Sequence, residues 1–133
     1  MMFVDTNYFL RFLLAEENEQ SRATRALFDD GASGRARLST SSIVFFELYW
    51  VLTSFYKKEK SEVVAVLEGV LAMDFVFIPE REMLERALAI FRATGLSLED
   101  AYNVAFAQAY SLSDFRTFDK ALAKYVRTGG KHT

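Results

Sequence analysis

The sequence predicts an α/β protein of three layers, with a parallel sheet of four to five strands between two layers of helices. Three observations lead there. Short apolar runs alternate with longer stretches of helical periodicity, and each crossover is long enough to hold a helix, as parallel pairing requires. The chain has 133 residues, 51% hydrophobic and 15% aromatic, which is enough for one core and predicts a single domain over 1–133. The opening apolar run, Met1 to Val4, stops at an acid, Asp5. In open α/β sheets ligands sit just outside the carboxyl ends of the strands, so Asp5 is a candidate site residue.

The elements follow in order. The first run reads as a buried strand, with Thr6 or Asn7 capping the helix that follows. Phe9, Phe12, Leu13 and Leu14 mark that helix over 7–15, and Glu16, Glu17, Asn18 and Glu19 break it. A second helix spans about 18–30 and ends near Gly31. Residues 35–39 read as a short edge strand. Ser41 or Ser42 then caps a helix running to about Lys58, apolar at every position from Ile43 to Leu52 except Glu47. Such a helix is expected to be buried nearly all round. A helix from Ser61 to Met73 leads into a strand at 74–78, closed by Pro79. Met83, Leu84, Ala87, Leu88 and Phe91 define an amphipathic helix over 80–94 that stops at Gly95. Ser97 with Asp100 forms a capping pattern for a helix over 98–110, rich in small residues that let it lie close to a sheet. Asp114 to Thr117 reads as a fourth strand, followed by a helix from Lys120 to Val126. Arg127 to Thr133, with the only His, reads as a flexible tail.

Composition narrows the chemistry. Cysteine is absent, which excludes a disulfide framework, a thiolate metal site and a thiol nucleophile. The N-terminus lacks a basic region and is not read as a signal peptide. No apolar stretch reaches the roughly 18 residues of a membrane span. The expectation is a cytoplasmic protein.

Four acids carry the remaining signal. Asp5 and Asp119 stand where strands give way to helices, Asp100 opens a helix, and Glu47 interrupts an apolar one. Each has a plain alternative. Asp5 and Asp100 could be helix caps, and Glu47 could lie on a narrow solvent-facing stripe or meet an Arg. Yet a carboxylate in a buried helix is costly unless it is paired or binds a cation. In a doubly wound fold all four can converge at the carboxyl edge of the sheet. Two unit charges about 4 Å apart repel by roughly 4 kcal/mol at an effective dielectric near 20, so such a cluster needs protons or cations. Hard oxygen donors select Mg²⁺ or Mn²⁺, the usual apparatus of phosphodiester hydrolysis.

The stretches Phe3-Val-Asp-Thr-Asn-Tyr8, Ser42-Ile-Val-Phe-Phe-Glu-Leu48, Leu96-Ser-Leu-Glu-Asp-Ala101 and Thr117-Phe-Asp-Lys120 together resemble the PIN-domain nucleases, and among them the VapC-type toxins of toxin–antitoxin pairs. The resemblance covers nearly the whole chain. It implies a PIN-like fold and metal-dependent hydrolysis of RNA, with Asp5, Glu47, Asp100 and Asp119 as the catalytic, metal-binding acids. Thr117 and Thr6 take supporting hydroxyl roles, with Asn7 and Asp114 nearby. It also implies a homodimer and an antitoxin that lays a segment into an apolar groove near the acids. A fifth strand is expected by the family pattern, although Arg127 to Thr133 shows no strand signal.

Setting aside the four acids turns the net charge of −2 into +2 for the remainder. Arg35, Arg37, Lys57, Arg116 and Lys120 are then candidate RNA contacts, with Lys58, Lys60, Lys124 and Arg127 as further phosphate partners or plain solvated surface. Phe45, Phe46, Tyr49, Trp50, Phe55 and Tyr56 exceed what a small core needs and predict an apolar contact surface. Two other functions compete. One is a PIN nuclease of RNA processing or decay that is not a toxin. The other is a receiver-type signalling domain, disfavoured because Asp5 is followed by Thr6-Asn7 rather than preceded or joined by a second acid.

Overall fold

The computed structural model describes residues 1–14 and 18–129. The chain divides into two compact units, Met1–Arg81 and Glu82–Thr133.

The first unit is α/β. In order it contains β1 (Met2–Phe3), α1 (Thr6–Leu13), α2 (Glu19–Ala32), β2 (Leu38–Ser39), α3 (Ser42–Trp50), α4 (Lys60–Leu71) and β3 (Val76–Phe77). Between α3 and α4, Val51–Phe55 forms a π-helical turn that continues α3. The strands order β1-β2-β3, all parallel, with Met2 opposite Leu38 opposite Val76, and Phe3 opposite Ser39 opposite Phe77. Successive strand residues face opposite ways. Leu38 and Val76 are accordingly buried, while Phe3 and Phe77 are 62% and 57% exposed on the other face. The expected burial of the first strand is therefore corrected. Met2 and Phe3 are exposed, and only Val4 beyond them is buried.

Phe9, Phe28, Phe45, Leu48, Leu52, Val63, Leu67 and Val70 fill the core of this unit. The Phe28 ring lies 5.4 Å from Phe9 and 4.4 Å from Phe12, which fastens α1 to α2. Asn18 caps α2 by accepting from the Ser21 amide at 2.8 Å. The Arg81 guanidinium donates to the carbonyls of Leu71, Met73 and Val76, partnering groups left open where α4 ends.

The second unit is helical, with α5 (Arg81–Ala93, starting at the boundary), α6 (Leu98–Ala109) and α7 (Lys120–Arg127). Its centre is Leu96, Val104 and Leu122, against which Ile90, Phe115, Tyr125 and Val126 pack. Ser97 caps α6 as the sequence predicts, accepting from the Asp100 amide at 3.1 Å.

Among the described residues the sheet has three strands, not four to five. Asp114 to Thr117 does not form the expected strand. The stretch is not hydrogen-bonded into the sheet among the described residues, so its alternation is only local. The Arg116 guanidinium grips the Asp114 carboxylate through two bonds of 2.8 and 3.1 Å between exposed side chains two residues apart. The fifth strand and His132 were expected in a tail whose last residues, 130–133, lie outside the described residues, as do Glu16 and Glu17. No helix among the described residues is long and apolar enough to cross a membrane.

Candidate functional site

The end of β1 is built by hydrogen bonds before any acid is reached. The Val4 amide donates to the Ser39 carbonyl at 2.8 Å, and the buried Thr40 hydroxyl donates to the Val4 carbonyl at 2.8 Å. The residue before Asp5 is thereby held from both its polar groups. Sequence reading does not single out Thr40. Its signal is the polar run Ser39-Thr-Ser-Ser42 closing an apolar strand.

Asp5 is exposed and is itself the cap of α1, its Oδ1 accepting from the Tyr8 amide at 3.3 Å. The expectation that Thr6 or Asn7 caps this helix is corrected. Asp5 has the extended backbone a cap needs, and the helix begins one residue later. The cap occupies one carboxylate oxygen. Thr6 turns inward, is buried, and its hydroxyl donates to Glu47 Oε2 at 2.6 Å. Asn7 is exposed in the first turn of α1.

Glu47 is exposed, and the picture of α3 as buried all round is overturned. Ile43, Glu47 and Trp50 stand at helical spacing on one open face, with Ile43 69% and Trp50 60% exposed. With nine of ten apolar positions, composition could not say which face turns outward. Ile43, Phe46, Glu47, Trp50 and Val51 line a groove of about 480 Å³ with this carboxylate set in an apolar wall. Phe55 and Tyr56 extend the exposed aromatic surface beyond it.

In the second unit, Asp100 lies half-buried in the first turn of α6. Asp119 is exposed and caps α7, accepting from the Leu122 amide at 2.8 Å, while its own amide donates to Thr117 Oγ1 at 3.1 Å. Both acids stand at helix N-termini, where the positive end of the helix favours a carboxylate. Asp114 is occupied by Arg116, and Arg35 by Asp30 at 3.0 Å, so these two candidate contacts already hold ion pairs. Arg37 and Lys57 are exposed, and Lys57 has a left-handed backbone with φ 52°.

Each unit thus carries two of the four acids. Among the described residues no three acidic or His side chains gather in one place. The donor set nevertheless suits Mg²⁺ or Mn²⁺, which keep several waters and take one or two carboxylates. In the first unit Thr6, the neighbour of Asp5 in the chain, donates to Glu47, so the two acids are linked through one residue.

The first unit is parallel α/β with an acid, Asp5, just past its first strand, and the second carries Asp100 and Asp119 at helix starts. The family model for the PIN domain matches residues 2–127, running through both units, and the chain belongs to that family. PIN domains are generally nucleases and typically use divalent metals. No curated protein and no solved structure matches the chain.

Proposed function

We propose that this PIN domain is a Mg²⁺- or Mn²⁺-dependent endoribonuclease and the toxin of a VapBC-type toxin–antitoxin pair, acting in the cytoplasm as a homodimer. The observation that carries the nuclease reading is the Thr6–Glu47 hydrogen bond. It joins two family-position acids, Asp5 and Glu47, through one residue at the carboxyl end of β1. Asp5, Glu47, Asp100 and Asp119 supply the carboxylate oxygens, and Thr6 fixes the Glu47 carboxylate as a hydrogen-bonded supporting group does for a ligand. These residues would hold a divalent ion, whose chemistry when bound would be to activate a water and offset charge on the phosphodiester. Thr117 holds the Asp119 amide and so steadies the start of α7. The antitoxin reading is supported by the groove around Glu47, where an apolar helical segment would cover Ile43 and Trp50.

The test uses Asp5→Asn and Asp119→Asn. Both acids are helix caps, and Asn caps as well as Asp, so the substitutions remove charge without removing the cap. Purified protein should cleave single-stranded RNA with Mg²⁺ or Mn²⁺ and stop with EDTA. Either variant should lose about 100-fold or more, since several kcal/mol of charge stabilisation is at stake. On induction in cells the wild type should arrest growth and the variants should not. Cleavage that survives EDTA and both substitutions would rule out the metal reading.

A further inference from the structure

Phe118 is fully exposed, between Thr117 and the candidate acid Asp119. A large apolar ring held in water, one residue from a helix cap, calls for a physical reason. The helix that follows gives one. Lys120, Lys124 and Arg127 are exposed and stand at i, i+4 and i+7, on one face of α7. Leu122, Tyr125 and Val126 occupy the opposite face and pack on the Leu96–Val104–Leu122 centre. The cation row therefore faces outward because its opposite side is fixed in the core. It starts two residues from the exposed ring, and Lys120 and Lys124 are about 6 Å apart along the helix axis.

An exposed aromatic ring two residues before a row of outward cations offers the two contacts that single-stranded nucleic acid uses. Every base offers a π-face to stack on, and each phosphate offers a charge to meet. We propose that Phe118, Lys120, Lys124 and Arg127 form a platform for single-stranded RNA. The ring stacks on one unpaired base and the cations meet the phosphates that follow, which delivers that base beside Asp119. A duplex keeps its bases stacked on one another and cannot offer one to the ring without unstacking. A protein partner is the poorer fit, because interface cores are depleted of charge and the ring is followed along the chain by three exposed cations. The proposal rests on the ribonuclease reading above.

The experiment is fluorescence anisotropy in EDTA with a labelled single-stranded oligoribonucleotide and a labelled RNA hairpin duplex. The proteins are wild type, Phe118→Ala, Phe118→Trp and Lys124→Ala. Phe118→Ala should weaken single-strand binding by about 5- to 150-fold, the range measured for one base–aromatic stack. Phe118→Trp should bind as the wild type does, and hairpin binding should scarcely change. Lys124→Ala should weaken both and lower the slope of log K against log salt by about 0.7, one phosphate contact. Wild-type RNA binding and metal-dependent cleavage with an unchanged Phe118→Ala would overturn this inference alone. A wild type that neither binds nor cleaves RNA would overturn the ribonuclease reading and this platform with it. Unchanged RNA binding together with altered self-association in sedimentation would make Phe118 a protein contact and overturn the platform.

Discussion

Thr6 shows how one hydroxyl can serve both stability and site. It is buried at the start of α1, and its bond to Glu47 is short, at 2.6 Å. Thr6→Val keeps the shape and removes the donor. The exposed Glu47 carboxylate regains water, so stability should fall by only about 1 kcal/mol. Metal binding should suffer more, about 10- to 100-fold, because the carboxylate loses the group that orients it. Urea unfolding and Mn²⁺ titration by calorimetry separate the two effects, and equal Mn²⁺ affinity in both proteins would deny Thr6 a positioning role. Asp5 and Asp119 were legible in the sequence as acids at strand-to-helix boundaries, and which of them caps a helix was not. Asp5 and Asp119 both accept from a backbone amide three residues on, the same bond any capping Asp makes. Residue type at a strand end cannot separate a cap from a ligand when one side chain has oxygens for both.

At the scale of elements, caps and periodicity were good guides. Asn18 and Ser97 cap helices close to where the sequence predicts them, and the small-residue face of α6 is buried at Ala101 and Ala105. Two elements escaped for distinct reasons. The π-helical turn at Val51–Phe55 changes the hydrogen-bond span without changing composition, so a run of apolar residues cannot announce it. The stretch Asp114–Thr117 alternates like a strand and pairs Asp114 with Arg116 at the i, i+2 spacing a strand would give, but alternation cannot supply the neighbouring strand it would have to pair with. Gly31 looks in sequence like a simple helix stop, and packing gives it another job. A Cβ there would stand 2.7 Å from Leu38 Cδ1 and 3.0 Å from Phe75 Cδ2, so α2 runs against β2 at a distance only glycine allows. Leu38 is buried and has little room to yield. Gly31→Ala should cost about 1–3 kcal/mol in overpacking, against at most about 1 kcal/mol gained in helix propensity. The urea midpoint should therefore drop, and a rise would mean that Leu38 has space to move.

At the scale of the molecule, the family match runs from residue 2 to 127 while the acids divide two and two between the units. The four positions stood out in the sequence because Asp5, Asp100 and Asp119 sit at recognisable boundaries of strand or helix and Glu47 is the lone acid in an apolar helix. Their coordination did not, since spacing along a chain does not fix which carboxylates share an ion. Thermal melting distinguishes the possibilities by mass action. An ion bound only by the folded state stabilises it by RT ln(1 + [L]/Kd), about 2.7 kcal/mol at a hundredfold excess over Kd, and so raises the melting temperature by several degrees. Relative to EDTA, Mn²⁺ should produce that rise in the wild type. If all four carboxylates serve one site, Asp5→Asn and Asp119→Asn should each abolish it, although the two residues belong to different units. If the Asp5–Glu47 pair suffices with water completing the shell, only Asp5→Asn should abolish it, and Asp119 would then act on substrate rather than on metal. A wild type whose melting Mn²⁺ leaves unchanged would remove the ion from both schemes, because a ligand that favours the native state cannot fail to stabilise it.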